Sequence, residues 1–156
     1  TDTLSLLKDL SAGVSQQISY QSRDAEGTQS PVETLDRGWG SCRDFAVLFV
    51  ETVRSLGFGA RIVSGYLYNP AGAFVGSQGT GSTHAWAEVH LPGRGWVGFD
   101  AANNHCPDAR YVRLATGLCY ADAAPVSGMR IGLAGEDLKV TVVVESKGQS
   151  QSQSQN

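Results

Sequence analysis

The 156 residues suffice for one ordinary domain that buries its own core without disulfide or metal staples. With 41% hydrophobic and 17% charged residues and 19 glycines, the chain reads as globular, rich in turns and short strands rather than a helix bundle. A net charge of −3 with no basic run disfavours a nucleic-acid partner, and no run of about 18 apolar residues is present to span a membrane.

The N-terminus has neither the basic nor the apolar region of a signal peptide, and it lacks an initiator Met, which suggests a piece cut or processed from something larger. The three cysteines, Cys42, Cys106 and Cys119, are too few and odd in number for a disulfide framework, so reduced thiols and a cytoplasmic setting are expected.

In chain order, Leu7, Leu10, Val14 and Ile18 recur at helical spacing and predict an amphipathic helix over 4–18. A polar loop follows over 21–30. Ser30-Pro31-Val32-Glu33 reads as a capping box with proline at the first helical position, starting a short helix that stops near Gly38. Ser41 with Asp44 three residues on is a second such signature. Phe45, Leu48, Phe49, Val53 and Leu56 continue the helical period to Gly57. Strands are predicted over 60–68, 84–91, 96–100, 110–115, 126–133 and 138–145, the last the most strongly patterned, with a Gly/Ser-rich loop at 69–83. Residues 1–145 form the expected domain, and the Gln/Ser-rich tail 146–156 is expected to be disordered. Helices first and strands later indicate an α+β fold with an antiparallel sheet.

Cys42 falls in the first turn of the most apolar helix. Oriented N–H groups there favour a thiolate, the reactive form of cysteine. The competing reading is a small buried residue. Of the three histidines, His84 begins a strand beside a flexible loop and can reach a cleft, whereas His90 and His105 read as turn and loop residues. Asp100 ends the next strand and could accept the imidazole N–H. Sheet parity constrains this pairing. A four-residue loop at 92–95 would put His84 and Asp100 on opposite faces, while a three- or five-residue loop, or a bulge, would make them diagonal neighbours on one face. Arg61, in an apolar strand, is expected to pair with Asp44 or Glu88.

The runs Gly40-Ser41-Cys42-Arg43-Asp44-Phe45-Ala46, Arg54-Ser55-Leu56-Gly57, Ala60-Arg61, Ser64-Gly65-Tyr66, His84-Ala85-Trp86-Ala87-Glu88-Val89, Gly95-Trp96 and Asp100 together resemble the bacterial transglutaminase-like family, across roughly residues 31–105 and more loosely 110–145. The resemblance implies a papain-like core, a nucleophile helix packed on an antiparallel sheet, with Cys42, His84 and Asp100 as the catalytic triad. The family often has Pro-Thr-Asn after the aspartate; here Ala101-Ala102-Asn103 follows.

The implied chemistry is thiol-dependent acyl transfer on amide bonds, as a cysteine protease or amidase acting on a protein or peptide. The alternatives are a transamidase of the same fold and a non-catalytic or partner-dependent binding domain. A second oxyanion donor is expected from Tyr20 or Trp39. An N-terminal β domain, carried by bacterial relatives and absent from this chain, is a candidate partner. Cysteine and histidine spacing does not suit zinc, the glycine runs lack the context of nucleotide loops, and no cofactor is expected.

Overall fold

The computed structural model describes residues 2–76, 82–125, 131–132 and 141–145. Helix α1 spans Thr3–Gln17, and the chain then forms a short strand β1, Ser19–Tyr20. Helix α2, Pro31–Arg37, starts where Ser30 Oγ accepts the Glu33 N–H and ends on Gly38, whose φ of 71° is the left-handed conformation that glycine adopts without a Cβ clash. Strand β2, Trp39–Gly40, pairs in parallel with β1 and leads directly into helix α3, Cys42–Ser55. Four antiparallel strands follow, β3 (Ala60–Leu67), β4 (Ser82–Leu91), β5 (Gly95–Phe99) and β6 (Tyr111–Gly117), in the spatial order β5-β4-β3-β6. A single turn of helix, α4 (Tyr120–Ala123), lies against β3 and β6, where the Ser64 hydroxyl donates to the Ala123 carbonyl.

The core lies between α3 and one face of this sheet. Phe45, Leu48, Phe49, Val50 and Val53 pack with Ala60 and Ile62 of β3, Ala87, Val89 and Leu91 of β4, and Phe99 of β5. Alternation along β4 explains the choice: Ala87 and Val89 point to the helix, and Trp86 and Glu88 to the other side. The Phe49 and Phe99 rings meet at 5.4 Å, and Leu7 of α1 and Ile18, just past its end, seal the layer. Fold class is as the sequence indicates, α+β with a helix packed on an antiparallel sheet.

Several boundaries and elements differ. The two-residue strands β1 and β2 and the helix α4 were not anticipated, and β6 runs to Gly117 rather than 115. Of the strand expected over 126–133, only 131–132 are described, and they carry no strand; 141–145 likewise carry none, and 138–140 lie outside the described residues. The tail 146–156 also lies outside them. No helix among the described residues is long and apolar enough to cross a membrane.

Candidate functional site

Cys42 is the first residue of α3, so its N–H has no acceptor within the helix. That helix start is held by Asp44, which is fully buried. Its carboxylate accepts from the Ser41 N–H at 2.8 Å, the Ser41 hydroxyl at 3.0 Å, the Gln29 N–H at 2.8 Å, and Arg23 Nε and Nη2 at 3.1 and 2.9 Å. Burial alone would push this carboxyl up, but the Arg23 guanidinium and the N–H donors hold it below the ordinary carboxylate range. Gly40 is required here: a Cβ on it would stand 2.7 Å from the Asp44 Cβ. Arg61 pairs with Glu88, its Nη2 2.7 Å from Oε2, and Arg113 joins them at 3.2 Å; Asp44, the other partner considered for Arg61, is taken by Arg23.

His84 and Asp100 meet on one sheet face because the β4–β5 hairpin has a three-residue loop. Leu91 pairs with Gly95, and Arg94 N–H donates to Leu91 O across a turn with Pro92 leading and Gly93 at φ 79°. Continuing this register sets Asp100 opposite Trp86, diagonal to His84. Asp100 is buried and makes a reciprocal backbone pair with His105 (2.8 and 3.1 Å), closing a turn in which Asn104 takes φ 48°. Its Oδ2 accepts from three donors: His84 Nε2 at 2.7 Å, Asn103 Nδ2 at 2.8 Å and the Tyr111 hydroxyl at 2.8 Å. Trp86 stacks on the imidazole at 6.1 Å, and Tyr111 meets both rings edge-on. Gly65, paired with His84 across β3–β4, leaves space for this cluster: a Cβ there would be 2.9 Å from the Trp86 ring and would overlap the Val112 carbonyl.

With Nε2 committed to Asp100, the other nitrogen, Nδ1, is buried and has no conventional hydrogen bond among the described residues; Cys42 lies beside this imidazole. The electrostatics follow. Desolvation pushes the Cys42 thiol up, but the neighbouring imidazole and the Ala85 N–H outweigh it and bring the thiol below its ordinary value, with Asp100 opposing. Burial alone would lower His84; the Asp100 carboxylate and the Cys42 sulfur instead raise it to about 10. Asp100 is pushed up by burial and drawn below the ordinary carboxylate range by His84, Asn103 and Tyr111. The arrangement favours a thiolate–imidazolium pair with the carboxylate behind it.

Tyr20 borders the same space. Desolvation and the charge of Cys42 raise its hydroxyl to about 12, so it stays protonated and able to donate. Trp39 instead sits under the Arg37 guanidinium at 5.5 Å, and its carbonyl is taken by Gln29. Of the two oxyanion donors considered, Tyr20 lies near enough to Cys42 to feel its charge. Cys106 and Cys119 are exposed and unpaired with any other cysteine. Among the described residues, no cluster of three metal-ligating side chains occurs.

The transglutaminase-like superfamily model matches residues 1–101 of the chain. An uncharacterised Mycobacterium leprae protein, ML0607, is 35% identical over 74% of this chain and 40% of its own length. Rv2569c of Mycobacterium tuberculosis, also uncharacterised, is 35% identical over 80% of this chain and 41% of its own length. The chain therefore spans about two-fifths of these relatives. Among solved structures, a candidate cysteine protease from Cytophaga hutchinsonii superposes with a TM-score of 0.66 at 28% identity, over 79% of this chain and 39% of that one. Legionella pneumophila LapG in its calcium-bound form gives 0.58 at 16% identity, over 75% and 66%, a likeness of fold alone.

Proposed function

The chain belongs to the transglutaminase-like superfamily, and on that premise we propose that it is a thiol hydrolase of amide bonds, a cysteine protease or amidase, with Cys42, His84 and Asp100 as its triad. The observation that carries this reading is the buried 2.7 Å contact between His84 Nε2 and Asp100, which leaves Nδ1 for the cysteine at the helix start. The Cys42 sulfur gives its proton to Nδ1 and attacks the amide carbonyl of a protein or peptide. The oxyanion is met by the Cys42 N–H and the Tyr20 hydroxyl. Nδ1 returns the proton to the departing amine, leaving a thioester. A water, deprotonated by the same nitrogen, then adds to the thioester and releases the carboxylic acid and the thiol. Asp100 holds the imidazole tautomer and its charge throughout.

Transfer to an amine in place of water would make the same site a transamidase. The Cytophaga likeness supports hydrolysis. The discriminating experiment offers a mixed peptide substrate with a fluorescent primary amine, using Cys42→Ala as the control. Cleavage or deamidation without incorporated amine is expected. Incorporation would favour the transamidase, and turnover retained by Cys42→Ala would end the mechanism. No turnover of any kind, with Cys42 unreactive, would favour a binding domain or one that needs a partner, such as a further β domain.

A further inference from the structure

The loop that follows β3 reaches the site, and one side chain joins it to Asp100. Asn69, buried, organises this loop: its Nδ2 donates to Phe74 O at 2.8 Å and its Oδ1 accepts the Phe74 N–H at 3.2 Å. The next residue is held from outside. Asn103 Oδ1 accepts the Val75 N–H at 2.7 Å, and Asn103 Nδ2 donates to Val75 O at 3.3 Å and to Asp100 Oδ2 at 2.8 Å. One amide thus imitates a strand pairing with Val75 while donating to the carboxylate that orients His84. The consequence falls on Gly76, at φ 81°: a Cβ built on it would lie 2.9 Å from His84 Nδ1, 3.1 Å from Cε1 and 3.5 Å from the Tyr20 hydroxyl. The backbone at 76 is therefore packed against the edge of the imidazole that faces the cysteine, with no room for a side chain between them.

We propose that Asn103 is a positioning residue that ties the 69–76 loop to Asp100, so that the Gly76 backbone walls the Nδ1 edge of His84 and restricts Cys42 to slender, unbranched acyl groups on that side. The inference rests on the triad reading above. The ionisable groups bearing on the His84–Asp100 pair are Cys42 from α3, Tyr20 from β1 and Tyr111 from β6, and none is part of the tether. Tyr111 shares Asp100 with Asn103 but does not hydrogen-bond the loop, so the two donors can be separated experimentally.

The test measures labelling of Cys42, resolved from Cys106 and Cys119 by peptide mass spectrometry, with iodoacetamide and with the bulky N-phenylmaleimide across a pH series. In wild type the ratio of bulky to small reagent is expected to be low. Asn103→Ala should raise it by about tenfold and also move the acid limb of the labelling profile upward. Val75→Pro removes the N–H that Asn103 accepts but leaves the Asn103–Asp100 bond; it should raise the ratio and leave the acid limb in place. Tyr111→Phe should move the limb and leave the ratio. A wild-type ratio in Val75→Pro overturns the proposal, and this variant decides the matter if Asn103→Ala does not fold. An ordinary-thiol labelling profile in wild type would instead refute the triad itself.

Discussion

The reactivity argued for Cys42 comes from balance rather than from any one contact. Burial opposes the thiolate, and the imidazole and Ala85 N–H overcome it; the imidazole keeps its proton because Asp100 stands behind it. Replacing Asp100 by Asn keeps the shape but removes the charge and favours the wrong tautomer, so turnover of any amide substrate should fall by roughly 10³–10⁴-fold with little change in KM. A loss below tenfold would remove Asp100 from the proposed role. The sign of the pH response is fixed by the same shifts. Cys42 is lowered and His84 raised to about 10, so the ion pair fills the interval between the two and reactivity should hold across neutral pH until His84 deprotonates near the upper value. Reading the sequence reached Cys42, His84 and Asp100 through the helix start, the strand end and the family likeness. It passed over Tyr111 and named Asn103 only within the run that follows Asp100, without a role. Tyr111 arrives from β6, on the far side of β3, and nothing in a one-dimensional pattern says which side of a sheet a tyrosine will face.

At the scale of elements, the start of α3 depends on a carboxylate whose partners come from a loop far back in the chain. The Ser41–Asp44 box was legible because both residues sit at the helix start. Arg23 was not, since a polar loop gives no sign of its partner. Arg23→Met should leave Asp44 buried with three donors but no counter-charge and cost about 2–3 kcal/mol, measurable by urea unfolding. A cost within about 0.5 kcal/mol would mean that the N–H donors suffice. The helix itself was readable from apolar spacing, as were β3, β4 and β5. The elements β1, β2 and α4 were not, because two or four residues carry no period; β1 and β2 exist through their mutual pairing and the Gly38 turn.

For the whole molecule, register was the open question, and turn length answers it. Had the hairpin closed with Leu91 opposite Trp96, His84 and Asp100 would have been on opposite sides of the sheet; Pro92 and Gly93 form the tighter turn that puts both on one face. Glycines at 93 and 95 allowed several loop lengths, so the sequence alone left the choice open. Global stability should also respond to acid. Asp44 and Asp100 are both lowered in the folded state, so each contributes stability that is complete above the ordinary carboxylate value of about 3.9 and is lost as pH falls below it. Unfolding midpoints should therefore fall steeply below about pH 4, and less steeply in Arg23→Met, where the Asp44 shift is smaller. A midpoint unchanged between pH 5 and pH 3 would contradict this.

The central claim is a working Cys42–His84 pair, and the alkylation rate of Cys42 against pH, in wild type and in His84→Ala, tests it most directly. The account predicts rapid labelling well below the free-thiol value of about 8.5 in wild type, and an ordinary thiol profile once His84 is gone. Slow labelling that follows an ordinary thiol and does not change with His84→Ala would contradict it.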